Sequence, residues 1–169
     1  MKLNRRMERY LADLRSREVA ADFRLPGGPE VAIVETGGCF LLRGFVHKPH
    51  VSVRDFPDET GLECFANKLR MDSMFEPGLV DSCPLLLLTA GLMTARVISR
   101  ELAHYRARFN VIVSYDGDTC AVRFHKIREG ESWLCEDLES YVDEGVLVVE
   151  AGAGLTAFAQ LAAAAAPQG

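Results

Sequence analysis

Past Arg128 this chain has no lysine or arginine. From there to Gly169 it carries eight acids, Glu129, Glu131, Glu136, Asp137, Glu139, Asp143, Glu144 and Glu150, against a whole-chain charge of −5, so residues 1–128 are net +3. Phosphate binding needs clustered lysine and arginine, so nucleic acid is not expected as the main ligand. A surface of one sign suits a basic partner instead.

Other absences narrow the class further. The five cysteines, Cys39, Cys64, Cys83, Cys120 and Cys135, are odd in number and widely spaced. They form no CxxC pair, which argues against a zinc knuckle or a thioredoxin-like centre. Four of them sit in apolar or amphipathic runs, where a free thiol behaves as a small core residue, and the pattern favours a reducing, cytoplasmic compartment. The N-terminal stretch lacks the continuous apolar core of a signal peptide. The apolar run Ser82 to Ala95 is too short to span a bilayer, so no membrane partner is expected. There is no nucleophile elbow, Walker A loop, HExxH or EF-hand loop. Gly152-Ala153-Gly154 resembles the start of a dinucleotide loop, but the chain after it is too short for the rest of a βαβ unit. No cofactor and no metal is expected.

What is present reads as a single α+β domain over residues 1–150, followed by an Ala-rich tail over 151–169. Leu3, Met7, Tyr10, Leu11 and Leu14 recur at helical spacing and predict an amphipathic helix over 3–22. Glu30 to Glu35 and Cys39 to His47 read as strands of a hairpin about Thr36-Gly37-Gly38, and Val51 to Arg54 as a third short strand. Thr60 and Glu63 fit a capping box opening a helix that runs to about Met71. Asp81 or Ser82, with Pro84 just inside, starts a helix to about Arg106; apolar all round in its first half, it is expected to be central and the most buried. The tail predicts one loose helix from about Leu155 and disorder at its end. Hairpins without regular βαβ alternation predict a mainly antiparallel sheet, with the helices packed mainly on one face.

The run Phe109 to Glu150 is the most structured in pattern. With Asp116-Gly117 as a two-residue turn, Val113 faces Cys120, Val111 faces Val122 and Phe109 faces Phe124. These six share one buried face; Asn110, Ser114, Thr119, Arg123 and His125 share the other, so Cys120 and His125 point apart. A slip of one residue destroys that partition, which fixes the parity of the pairing. Ser132 then caps a helix of about ten residues with Leu134, Leu138, Tyr141 and Val142 inward. At about 100° per residue, Glu136, Glu139 and Asp143 fall on its outer face. Gly145 ends the helix, and Val146 to Val149 is a buried strand.

The candidate binding site is that outer face: Glu136, Glu139 and Asp143, with Glu129 and Glu131 on the approach loop and Trp133 as an apolar anchor. Trp133 has a second reading, as a staple packed under the hairpin. His47 and His50 with Asp55 are the best candidates for a metal or for a scattered catalytic site, although a surface loop accounts for them. Glu59 with Glu63, and Glu136 with Glu139, pose as paired carboxylates but read as solvent-facing acids. No catalytic residue is assigned.

The segment Arg123 to Val149, RFHKIREGESWLCEDLESYVDEGVLVV, resembles C-terminal segments of small acidic α+β immunity proteins from bacterial toxin–immunity systems. That resemblance implies a non-catalytic protein that blocks a toxin by direct binding through an acidic surface. Small acidic secretion chaperones are similar in element order, which implies a secreted effector as the basic partner instead; here the apolar helix after Pro84 is an extra element. A small enzyme is the competing class. The oligomeric state is not readable from the sequence.

Overall fold

The computed structural model of the protein describes residues 1–16, 31–46, 53–82 and 85–151. Its elements are β1 (Lys2–Leu3), α1 (Arg5–Ser16), β2 (Ile33–Thr36), β3 (Cys39–Leu42), α2 (Arg43–Val46), α3 (Glu59–Ala66), β4 (Leu69–Arg70), α4 (Pro77–Ser82), α5 (Leu86–Leu102), β5 (Phe109–Tyr115), β6 (Cys120–Lys126) and β7 (Gly145–Glu150), with short 3-10 turns between some of them. The fold is α+β. One antiparallel sheet runs β1-β7-β5-β6-β4, and β2 and β3 form a separate hairpin. Among the described residues no helix is long and apolar enough to cross a membrane.

The first face of the sheet is dry. Phe109, Val111, Val113, Cys120, Val122 and Phe124 are all at most 1% exposed, and they pack with α5 and with Met7, Leu11 and Leu14 of α1. The partition of the hairpin is as its sequence predicts, but the register differs by two. Tyr115 pairs with Cys120, Val113 with Val122 and Val111 with Phe124, around a four-residue loop. Asp116 makes that loop, its carboxylate accepting from the Asp118 and Thr119 amides and from the Thr119 hydroxyl. A shift of two keeps every side chain on its face, so apolar burial sets parity and loop chemistry chooses the register.

Helix α5 is the central buried helix. Gly91 lets it lie against the sheet, since a Cβ there would stand 2.5 Å from the Cys120 Sγ. The helix begins at Leu86 rather than at Pro84, behind Leu85, whose φ of 75° is a left-handed conformation that leucine rarely adopts. Cys83 and Pro84 lie outside the described residues.

Helix α3 departs most from expectation. Its N-cap is Asp58, whose carboxylate accepts from the Gly61 amide at 2.7 Å, so Thr60 lies inside the helix. Glu63 is no capping or solvent-facing acid: it is fully buried. Its carboxylate accepts from the Phe40 amide at 2.8 Å, the Lys126 amide at 2.7 Å and both terminal nitrogens of Arg128 at 2.9 Å. One turn on, Asn67 donates to the Phe40 and Phe124 carbonyls and accepts from the Leu42 amide. These two side chains thus satisfy edge groups of β3 and of β6 and stand in for a strand ladder between hairpin and sheet. The helix ends at Ala66, and Leu69–Arg70 continues as a strand beside β6 instead of as helix.

Several shorter expectations also change. The β2–β3 turn is at Gly37-Gly38, both with positive φ as a two-residue hairpin turn requires. Its second strand ends at Leu42, where Arg43–Val46 turns helical, and Val53–Asp55 is a 3-10 turn rather than a strand. Helix α1 starts at Arg5 behind a short strand, and its expected extension beyond Ser16 lies outside the described residues, as do 152–169 with their predicted helix.

Candidate functional site

The second face of the sheet is where polar chemistry collects. Register places Lys2, Val148, Ile112 and Arg123 in one row across β1, β7, β5 and β6, with Asn110 beside His125 and Ser114 beside Val146 in the flanking rows. Helix α3 reaches this face through Cys64, which packs with Ile112 and Val146. Burial pushes the Cys64 thiol up to about 12, so it is a packing group.

The rest of the cover is the acidic segment 127–144, and it is not a helix. Apart from a 3-10 turn at Leu138–Ser140 it is irregular. A helix of about ten residues is marginal alone, and here local side chains take the hydrogen bonds it needs. The Ser132 hydroxyl donates to the Leu134 carbonyl, the Asp137 carboxylate accepts from the Glu139 amide, and the Tyr141 hydroxyl accepts from the Cys135 amide.

Asn4 anchors the far end of the segment. It is 1% exposed and its Nδ2 donates to the carbonyls of Leu138, Tyr141 and Glu144 at 3.4, 3.2 and 2.9 Å. Its Oδ1 accepts from the Met7 amide at 3.0 Å, capping α1, and from the Val146 amide at 2.9 Å. One side chain therefore joins helix, strand and segment. Arg128 holds the near end through Glu63 and the Gly38 carbonyl at 3.0 Å.

Loss of the helix redistributes the expected site residues. Leu134, Leu138 and Tyr141 do face inward, but Val142 is 68% exposed. Glu129, Glu136 and Asp143 are exposed and make no ion pair among the described residues. Glu139 is exposed but accepts from the Arg5 amide at 3.0 Å. Glu131 accepts from the Thr60 amide at 3.0 Å at the start of α3. Burial works to raise its pKa, yet hydrogen bonding from Thr60 and the Arg128 charge help to hold the carboxyl low. Trp133 is 40% exposed, and the Arg123 guanidinium lies 5.9 Å from the centre of its ring. The six residues lie along one segment without sharing a helical face.

Two cavities open between segment and sheet, on either side of Ile112 and Leu134. The larger, about 360 Å³, takes polar groups from Lys2, Asn110, His125, Ser132, Cys135 and Glu136. His125 is buried and its Nδ1 stands 2.9 Å from the Lys126 carbonyl, which only accepts, so the proton sits there and Nε2 is left as acceptor toward Asn110 Nδ2 at 3.5 Å. Burial lowers its pKa, against the Lys126 hydrogen bond and the Glu63 charge, which raise it. The imidazole is neutral at pH 7. The smaller cavity, about 210 Å³, brings Ser114, Arg123 and Glu144 together with Trp133 and Tyr141. The hairpin pattern placed Arg123 and Ser114 on this face and helical spacing turned Tyr141 inward, but no pattern in the sequence placed Glu144 here.

Among the described residues no three His, Cys, Asp or Glu side chains are grouped to hold a metal. His47 and His50 lie outside the described residues, and Asp55 is exposed in its 3-10 turn. Cys120 and His125 do lie on opposite faces, Cys120 in the α5 core and His125 at the larger cavity.

The chain belongs to the Uncharacterized protein PM0498 family. The family model matches residues 2–160, a span that takes in β1, Asn4 and the whole acidic segment. No curated protein and no solved structure matches the chain.

Proposed function

We propose that this chain is a non-catalytic, cytoplasmic protein-binding protein that presents its acidic 127–144 segment to a basic protein partner, and that the partner is a bacterial toxin it neutralises by direct binding. The observation that carries this reading is the state of the segment: Glu129, Glu136 and Asp143 stand exposed without ion-pair partners among the described residues, on a backbone fixed at one end by Asn4 and at the other by Arg128. Pre-ordering matters because an irregular loop that is already fixed loses little entropy on binding. Trp133 supplies a half-exposed aromatic beside those charges. The free thiols Cys39, Cys64, Cys120 and Cys135 suit a reducing compartment.

Because Glu131 and Glu139 are already engaged within the fold, the reading assigns long-range attraction to Glu129, Glu136 and Asp143. Exposed carboxylates chiefly raise association rates and are screened by salt. If a toxin gene lies beside this one, association with its product, measured at low ionic strength, is expected to slow on charge reversal at Glu136 and Asp143, while Trp133→Ala speeds dissociation by an amount worth about 2 kcal/mol. Co-expression should restore growth. Continued killing at high expression of the folded protein rules the reading out.

A further inference from the structure

The smaller cavity leaves two opposite charges apart. Arg123 is a half-buried guanidinium whose only hydrogen bond among the described residues is a long one of 3.4 Å to the Ser114 Oγ, with the Trp133 ring beside it. Glu144 lines the same cavity, yet no carboxylate comes within 4.0 Å of Arg123 among the described residues. Taking a cation out of water without a counter-ion is costly. Burial accordingly lowers the Arg123 pKa, and Cys64 and then Glu144 act against that shift. Lys68, the residue before β4, adds positive charge, and its own pKa is lowered by burial and then by Arg123.

Apolar side chains complete the lining: Ile112 and Val146 from the sheet and Leu134 from the segment, with the Trp133 and Tyr141 rings. The gap of about 210 Å³ is of the order that takes a molecule of benzene size. A lone anion would meet Glu144 in this space, and a lone amine would meet Arg123. A ligand carrying both charges and an apolar body satisfies every wall.

We propose that this cavity is a binding site for a small zwitterion, a free α-amino acid with an aliphatic side chain. Its carboxylate pairs with the Arg123 fork and the Ser114 hydroxyl, its ammonium with Glu144, and its side chain lies against Ile112, Leu134 and Val146. The cavity shares Trp133 with the proposed partner surface, but Arg123 and Glu144 are not among the proposed partner contacts and titration with amino acids involves no partner, so this site and the binding of a toxin can fail separately.

Trp133 is the only tryptophan of the chain and lines the cavity, so its emission reports on occupancy directly. Purified full-length protein is titrated with L-leucine, L-valine and L-methionine, by fluorescence and by calorimetry. The controls are isovalerate, which lacks the ammonium, and isopentylamine, which lacks the carboxylate. At least one amino acid is expected to give a saturable change, and each control to bind at least roughly tenfold more weakly. Arg123→Gln should abolish amino-acid binding with circular dichroism unchanged. Glu144→Gln, at a half-exposed position, should weaken amino-acid binding roughly tenfold while leaving isovalerate unaffected or improved. It decides the matter if the Arg123 variant does not fold. No saturable response to any of the three amino acids overturns the proposal. So does isovalerate or isopentylamine binding as tightly as they do, or a folded Glu144→Gln protein that binds amino acids unchanged.

Discussion

The two faces of the central sheet are closed by different physics. Against the first, α5 and α1 lay apolar side chains with almost no exposure, and the close approach at Gly91 leaves no room for a methyl group. Against the second, an irregular acidic segment is held mainly by polar anchors, Asn4 at one end and the Glu63–Arg128 pair at the other, over two cavities. Apolar packing is non-directional and tolerates a register shift without changing which side chains are inside. Polar anchoring depends on single atoms, so it fixes an irregular backbone but concentrates stability in few residues.

That contrast is open to direct attack. The largest effect is expected at Glu63→Ala, which leaves Arg128, with its side chain only 14% exposed, and two strand-edge amides without their acceptor. Breaking a buried pair from one side costs about 3–5 kcal/mol, measurable by urea denaturation. A loss under 1 kcal/mol would mean that the pair is dispensable and the contrast misplaced.

Next comes Asn4→Ala, expected to cost about 2–4 kcal/mol because it strips hydrogen bonds from buried backbone groups in three elements. Hydrogen exchange should show the amides of 134–144 opening while those of β5 and β6 stay protected. Uniform loss of protection would show that the segment is not a separate unit.

On the packed face, Gly91→Ala should cost about 1–3 kcal/mol, since overfilled cores relax poorly. Adding Cys120→Ala to it should recover part of the loss, because the clash is with that sulfur. Additive losses in the double variant would locate the strain elsewhere.

The smallest effect is one of pH. Folding lowers the His125 pKa below its ordinary 6.5, so the unfolded chain binds the proton more readily. The contribution is complete above pH 6.5 and is lost as pH falls from there through the lowered folded value. His125→Gln should therefore flatten the fall in stability over that acid range. Unfolding curves whose pH dependence is the same with and without His125 would remove this group from the account.

How far the sequence could be read follows the same division. The inward set of the β5–β6 hairpin, the buried α5 and the antiparallel character were legible, because each rests on apolar periodicity summed over many residues. Glu63 misled because its spacing from Thr60 imitates a capping box, and nothing local tells a carboxylate that donors from the distant Phe40, Lys126 and Arg128 will converge on it. The segment after Gly130 misled for a related reason. Leu134, Leu138 and Tyr141 have helical spacing and do turn inward, but the Leu138 and Tyr141 carbonyls are claimed by Asn4, which is 134 residues or more distant in the chain from the carbonyls it binds.

Of the candidate site, the sequence alone determined the single sign of the chain past Arg128, its lone tryptophan and the polar side of the hairpin beneath it. Which acids remain exposed, which are consumed in the fold, and the gap between Arg123 and Glu144 were decided only by tertiary structure. Burial patterns are written in the spacing of neighbours along the chain, whereas polar partners depend on which distant atoms the finished fold brings within hydrogen-bond reach.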